Sequence, residues 1–167
     1  PAITAAVAID GYTQPGAVRN SNSLSGGLTT QLKVEINGTG VSTGTPGLVI
    51  TAGSSTVSGL VITGFPAEAI RIDGGIGNTI TGNFIGVGPT GATSSPNLFG
   101  IRVIESASNT IGGATTSAAN LISGNSDTGV VLSGGLSSGN RVVGNLIGTD
   151  RFGIGDLGNE ISGVAIY

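Results

Sequence analysis

Two stretches of this chain match each other: Asn78-Thr-Ile-Thr-Gly-Asn-Phe-Ile-Gly86 and Asn140-Arg-Val-Val-Gly-Asn-Leu-Ile-Gly148. A third copy lies between them. It begins at Asn109-Thr-Ile-Gly-Gly and continues, after an insertion at 114–119, as Asn120-Leu-Ile-Ser-Gly124. The copies start at residues 78, 109 and 140, so the period is 31 residues (109 − 78 and 140 − 109). A repeat of this length is typical of solenoids, in which each unit buries its apolar side chains against its neighbours.

A second motif recurs about once per repeat, and it consists of a small residue followed by alternating aliphatic positions. Its copies are Gly47-Leu-Val-Ile50, Ala69-Ile-Arg-Ile72, Gly100-Ile-Arg-Val103, Gly129-Val-Val-Leu132 and Gly163-Val-Ala-Ile166. Together with the Asn-x-Ile-x-Gly and Asn-Leu-Ile-Gly units, this motif divides each repeat into three short strands. Gly or Asn at nearly every boundary permits the positive φ that sharp corners need.

These features predict an all-β fold, namely a right-handed three-sheet parallel β-helix (β-solenoid) of about five coils. Like strands then lie in register as parallel sheets, about 4.8 Å apart, and their β-branched side chains fill one continuous core. We interpret residues 1–167 as a single domain, with an irregular first coil at 1–46 and regular coils at 47–167.

Alternation along each strand assigns its two faces. In the first sheet, it predicts that Arg71 and Arg102 point outward on adjacent coils. The predicted inward columns are Leu48/Ile50, Ile70/Ile72, Ile101/Val103, Val130/Leu132 and Val164/Ile166 in the first sheet, Val57, Ile80, Ile111 and Val142 in the second, and Ile62, Ile85, Ile122 and Ile147 in the third. Alternation leaves open the direction of a neighbouring apolar column, which contains Phe84, Leu121 and Leu146.

Three asparagines, Asn78, Asn109 and Asn140, fall at equivalent corners of successive coils. Stacked amides can hydrogen-bond along the axis of such a stack, so we predict an asparagine ladder at this corner. The alternative is three turn asparagines that make no contact with one another.

The composition excludes several kinds of chemistry. The chain has no His, Cys, Met or Trp, so a Ser-His-Asp triad and a zinc site built on His or Cys are impossible. Charged residues make up 9% of the chain and the net charge is −3, which argues against a nucleic-acid partner. No apolar run approaches the roughly 18 residues of a membrane helix, so we expect no membrane insertion.

The run Ala8-Ile-Asp-Gly-Tyr-Thr-Gln-Pro-Gly16, the Asn-Thr-Ile-x-Gly-Asn-x-Ile-Gly units and Gly144-Asn-Leu-Ile-Gly-Thr-Asp150 resemble the right-handed β-helix repeat proteins. Those proteins belong to the pectate-lyase-like superfold and are mostly secreted bacterial or archaeal surface proteins. The resemblance therefore implies an extracellular or cell-surface location. It does not specify an activity, because that superfold hosts lyases, hydrolases, epimerases, adhesins and passive stalks.

In the enzymes of that superfold, catalysis relies on acidic residues and often Arg that point outward from the first sheet. The resemblance therefore implies that any catalytic residues of this chain lie there. Here the candidates are Arg71 and Arg102, with Asp73 and Glu105 just past the strands. We expect the two acids to form structural ion pairs with the arginines, and the alternative is a glycan-binding patch. Because a cluster of Asp residues and a Ca²⁺ cage with an unpaired base are both missing, we predict no hydrolase or lyase activity.

The loop that begins at Gly148 is a second candidate site. Asp150, Asp156, Asn159 and Glu160 carry hard oxygen ligands that a Gly-rich loop can gather around Ca²⁺. The alternative is a solvated loop, and no other cofactor is expected.

The ends of the chain motivate a hypothesis about assembly. No segment has the 3.6-residue period of a capping helix, and an uncapped solenoid exposes strand edges and apolar core. We therefore expect a structural extracellular subunit that stacks head to tail with copies of itself into a filament, or that forms part of a surface stalk. The alternatives are a glycan-binding module and, less favoured, a polysaccharide-degrading one, excised from a larger surface protein.

Overall fold

Sixteen short strands wind into five coils in the computed structural model, which describes residues 2–167. After β1 (Ala2–Ile3), each coil contributes one strand to each of three sheets. The strands of the five coils are, in order, β2 (Ala8–Asp10), β3 (Val34–Asn37) and β4 (Leu48–Ile50); β5 (Thr56–Ser58), β6 (Leu60–Thr63) and β7 (Glu68–Asp73); β8 (Thr79–Thr81), β9 (Phe84–Ile85) and β10 (Phe99–Ile104); β11 (Thr110–Gly112), β12 (Leu121–Ile122) and β13 (Thr128–Ser133); β14 (Arg141–Val143), β15 (Leu146–Ile147) and β16 (Ser162–Ile166). Short 3-10 helices span Gly11–Thr13, Leu24–Gly26 and Thr116–Ala118.

The three sheets are entirely parallel. The first has the order β1-β4-β7-β10-β13-β16, the second β2-β5-β8-β11-β14 and the third β3-β6-β9-β12-β15. Strands that follow each other in the chain thus lie in different sheets, and each strand pairs with its counterpart one coil away. The predicted right-handed three-sheet parallel β-helix of about five coils is confirmed.

The predicted inner columns are also confirmed. In the first sheet, Ile70 is aligned with Leu48 on one side and with Ile101 on the other. The columns of all three sheets meet in one core, where Ile50, Ile80 and Ile122 are completely buried. This arrangement follows from the side-chain alternation of a strand, because every second residue must face the interior of the stack.

A second apolar cluster lies outside the third sheet and settles the direction of the column that alternation left open. Phe84 and Leu121 are completely buried and belong to this outer cluster, against which Leu146 packs. Leu28 and Leu32 cover them from residues 11–33, the long connection between β2 and β3. We call this connection the strap. The column therefore points away from the central core and is buried by the strap.

The strap runs along the solenoid axis and is attached to each of the last three coils. The Tyr12 hydroxyl donates to the carbonyl of Gly82 at 2.6 Å, and the Asn20 amide donates to the carbonyl of Thr116 at 3.0 Å. At the fifth coil, the Arg151 guanidinium donates to the carbonyls of Leu28 and Thr30. One loop thus connects the first coil to all the coils beyond the second.

Tyr12 makes the attachment of the strap sensitive to alkaline pH. Burial raises the pKa of its phenol from 10.0 to about 12, against the lowering influence of Arg19, whose guanidinium lies 4.1 Å from the ring centroid. The pKa of this phenol is about 12 in the folded state and 10.0 in the unfolded chain, so its contribution to stability is fully present below pH 10. That contribution is lost as the pH rises from 10 towards 12 and the unfolded state ionises first.

We therefore expect the free energy of unfolding to fall between pH 10 and 12, and the Tyr12→Phe variant to show a smaller fall over that range. Urea unfolding at a series of pH values measures the difference. Tyr12 and Tyr167 are the two tyrosines of the chain, so Tyr167→Phe is the matched control. In that control, phenolate absorbance should report Tyr12 alone, with a midpoint near pH 12. A midpoint near 10 would contradict the prediction.

Candidate functional site

The predicted asparagine ladder is present at the corner that precedes the second sheet. The Nδ2 of Asn78 donates to the Oδ1 of Asn109 at 3.1 Å, and the Nδ2 of Asn109 donates to the Oδ1 of Asn140 at 2.9 Å. The backbone N–H groups of Asn78 and Asn109 donate to the same two oxygens. The alternative of isolated turn asparagines is therefore wrong.

Each of the other two corners carries a ladder that sequence analysis missed. Asn83, Asn120 and Asn145 form one immediately before the strands of the third sheet. Asn97, Asn125 and Asn159 form the other before the strands of the first sheet. All three corners of coils three to five are therefore stabilised by stacked amides that run parallel to the axis.

The ladders end at an axial surface made by β14, β15 and β16, which we call the outer face. Val164 and Ile166 occupy inward-facing positions of the first sheet, in register with Val130 and Leu132 of β13. Their counterparts on β13 are buried, yet Val164 is 43% exposed and Ile166 is 76% exposed. The outer face thus presents apolar core side chains together with one edge of each sheet.

The outward-facing arginines of the first sheet form a different site. Arg71 and Arg102 are directly aligned on β7 and β10. Both bind Glu68, which is 2% exposed: the Arg71 Nη2 lies 2.8 Å from the Glu68 Oε2, and the Arg102 Nη1 lies 3.4 Å from the Oε1. The Phe99 ring lies beside Arg102, 5.6 Å from ring centroid to Cζ. The site is a pair of half-exposed arginines held together by one buried carboxylate.

The expected ion pairs of Asp73 and Glu105 with these arginines are wrong. Within residues 2–167, neither acid has a salt bridge, and Glu105 instead accepts the backbone N–H of Leu136 at 2.9 Å. Glu105 lies at the corner after β10 with a φ of 45°, and its carboxylate reaches towards the next coil. The long connections from β9 to β10 and from β15 to β16 turn towards the third sheet, where Val87 and Leu157 pack in the outer apolar cluster.

We expect Glu68→Gln to lower the free energy of unfolding by about 1 kcal/mol. A neutral amide leaves two adjacent arginine charges without a counter-charge, but both guanidiniums are partly exposed, so water screens them and limits the effect. Thermal or urea unfolding measures the loss. Asp73→Asn is the matched control, and it should change stability by less than about 0.5 kcal/mol. Equal losses in the two variants would show that the charge of Glu68 does not stabilise the folded protein by neutralising the two arginines.

The four residues that were candidate Ca²⁺ ligands are engaged separately. Desolvation tends to raise the pKa of Asp150, but the backbone N–H groups of Gly155, Ile154 and Phe152 outweigh it, so the pKa lies below its ordinary value. Those three N–H groups donate to the Asp150 Oδ1 and hold the turn in place. The Asp156 Oδ1 accepts the N–H of Gly158. Asn159 belongs to the third ladder, so its Oδ1 already accepts two N–H groups of Asn125.

Glu160 lies apart from this turn, and its backbone N–H donates to the carbonyl of Asn125. Within residues 2–167, no group of three or more acidic side chains is arranged to hold a metal ion. Nor is any helix of that part of the chain long and apolar enough to cross a membrane.

Comparisons with protein-family models, with curated proteins and with solved structures found no match.

Proposed function

We propose that this chain is a structural element of an extracellular or cell-surface β-solenoid, in which coils stack on coils to lengthen a rod. The observation that carries the proposal is the set of three asparagine ladders, which run parallel to the axis and join coils three to five. Beside them, the aligned side chains of Ile70, Ile101 and Val130 are completely buried between neighbouring coils. Such a chain lengthens a rod coil by coil, because a solenoid buries its apolar side chains only by stacking.

The polar groups of the chain support a structural role over a catalytic one. The ladders engage the side-chain amides of Asn83, Asn109 and Asn120, which are completely or almost completely buried. Glu68 forms ion pairs with two arginines. The resemblance to the pectate-lyase-like superfold supports the proposed location, since that superfold contains secreted stalks and adhesins. Copies of the chain stacked head to tail would form one such rod, with an axial repeat near 24 Å for five coils of about 4.8 Å each.

An added coil tests the proposal. Ile166 is aligned with Leu132, so Tyr167 takes the place of Ser133 in the next turn. A second copy of residues 134–167 placed directly after Tyr167 should therefore fold onto the outer face. We expect this extension to raise Tm by about 5 °C, because it buries Val164 and Ile166. An unchanged Tm, with fast hydrogen exchange throughout the added segment, would contradict the proposal.

Glycan binding is the second candidate, and the arginine site favours it. Arg71 and Arg102 lie side by side and keep part of their surface accessible, and the Phe99 ring lies beside Arg102. Charged donors beside an aromatic ring suit an acidic sugar. A glycan array that includes polygalacturonate and alginate tests this candidate. Binding that Arg102→Ala abolishes would favour it over a purely structural role, and an array without binding would remove it.

A further inference from the structure

The corner after β10 carries a glutamate where the corners on either side carry glycine. Ile104 is aligned with Asp73 in β7 and with Ser133 in β13, which places the next residues at one shared corner position: Gly74, Glu105 and Gly134. All three have a positive φ, of 73°, 45° and 95° respectively. Glycine adopts this conformation freely, whereas a residue with a side chain is strained in it. Glu105 is therefore retained at a position where glycine would be less strained.

The structure gives the Glu105 carboxylate a fixed place over Gly134. The Oε2 accepts the backbone N–H of Leu136 at 2.9 Å, and a Cβ at Gly134 would collide with the Oε1. Within residues 2–167, Glu105 has no basic partner. A strained residue whose side chain is held in one place is a feature of binding sites, because the surrounding structure must offset the strain.

A depression of about 600 Å³ lies beside this carboxylate. Ile76, Ala107 and Leu136 line it, one from each of three consecutive corners, and Glu105 is the charged residue of its lining. Ile76 is 58% exposed, so its side chain is available to a ligand. Each of the three corners is followed by a further coil of three strands, so the depression lies along the side of the stack.

Hydrogen bonds between the corners hold this depression open. The backbone N–H of Gly77 donates to the carbonyl of Ala107 at 3.1 Å, and the N–H of Ser108 donates to the carbonyl of Ser138 at 2.9 Å. The Nδ2 of Asn109, a member of the first ladder, also donates to the Oγ of Ser106 at 2.9 Å. A ligand therefore meets a preformed surface and does not have to order it, which favours binding.

We infer that this depression binds a small organic ammonium ion with an apolar body. The Glu105 carboxylate supplies a charged acceptor for the ammonium group, and charge-assisted hydrogen bonds of this kind are strong. The side chains of Ile76 and Leu136 cover the apolar body and remove it from water. An anion would be repelled by Glu105 and by Asp73, which directly precedes Gly74. The inference adds a binding activity to the structural role and does not depend on stacking.

A titration with n-hexylammonium chloride, followed by NMR, tests the inference. We expect saturable shifts of the Ile76 and Leu136 methyl signals and of the Leu136 amide. Two comparison ligands separate the contributions, since 1-hexanol has the same apolar body without the charge and methylammonium has the charge without the body. Both should bind at least about tenfold more weakly, because each lacks one of the two interactions.

Two variants locate the site. Glu105→Gln keeps the shape of the side chain and an acceptor for the Leu136 N–H, but it should weaken n-hexylammonium binding at least about tenfold because the charge is lost. Ile76→Ser should weaken binding as well, because it removes apolar contact. Ile154→Ser is the matched control, since Ile154 is 88% exposed and does not line the depression, and it should bind as the unchanged protein does.

Three outcomes would overturn the inference. Equal affinity of the Glu105→Gln variant, or equal affinity for 1-hexanol, would show that the carboxylate does not recognise the ammonium group. Shifts at Ile154 as large as those at Ile76, without saturation, would show only general contact with exposed apolar side chains. None of these results bears on the added coil, so the structural role is tested separately.

Discussion

Replacing Asn120 with alanine should lower the free energy of unfolding by about 3–5 kcal/mol, because it removes four hydrogen bonds from a completely buried corner. Alanine leaves the backbone N–H and the Nδ2 of Asn83 without their acceptor, and it leaves the carbonyl of Ile80 without a donor. A buried polar group without a partner costs about 1–3 kcal/mol, so the losses at one amide are large for a single substitution. Urea unfolding followed by circular dichroism measures the change.

Asn37→Ala is the matched control for this substitution. Asn37 is exposed, and its Oδ1 accepts one local N–H, from Thr39 at 2.8 Å. We expect a loss below about 1 kcal/mol for this control. If Asn120→Ala were no more destabilising than Asn37→Ala, the ladders would contribute nothing to stability beyond what ordinary turns contribute.

The fold and its core were predictable because both depend on local periodicity. The 31-residue repeat sets the length of a coil, and two-residue alternation selects Ile70, Ile101 and Val130 as aligned inner positions. These patterns reflect the physical requirement that each coil bury its side chains against the next coil. Both patterns can therefore be read directly from the sequence.

The second and third ladders were not predicted because their spacing varies. Along the ladder before the third sheet, the steps are 37 and 25 residues, since the segment at 114–119 enlarges one coil. Along the ladder before the first sheet, the steps are 28 and 34 residues. A constant period exists only at the first corner. In coils three to five, the third-sheet strands begin at Phe84, Leu121 and Leu146, and an asparagine directly precedes each of them. This shared position was the feature of the sequence that could have predicted the ladder before the third sheet.

Glu68 was missed for a different reason. Strict alternation from Ile70 and Ile72 places Glu68 on the inner side of β7. In the structure, Ala69 and Ile70 both belong to the central core, so the alternation is interrupted at the start of the strand. The interruption turns Glu68 towards Arg71 and Arg102, and a residue pattern alone does not reveal it. The strap was equally hidden, because its hydrogen bonds to the later coils join residues 70, 96 and 123 positions apart.

The strap depends most on Arg151, and Arg151→Ala should lower the free energy of unfolding by about 2–3 kcal/mol. The guanidinium donates to the carbonyls of Leu28, Thr30 and Thr90, which alanine cannot replace, and hydrogen bonds from a charged group are among the stronger ones. Arg151→Lys should have an intermediate effect, because an ammonium keeps the charge but lacks the planar fork. Arg141→Ala is the control, since Arg141 is exposed and its side chain makes no hydrogen bond within residues 2–167.

Limited digestion with trypsin shows whether the loss arises in the strap. Arg19 lies within the strap and Lys33 is its last residue, so both peptide bonds become accessible when the strap lifts from Phe84 and Leu121. Because about 1.4 kcal/mol corresponds to a tenfold change in an equilibrium, we expect cleavage at these two sites to accelerate at least about tenfold in Arg151→Ala. Cleavage at the same sites should be unchanged in Arg141→Ala. A destabilised Arg151→Ala protein that trypsin cuts no faster at Arg19 or Lys33 would show that Arg151 acts on the fifth coil itself and not by holding the strap.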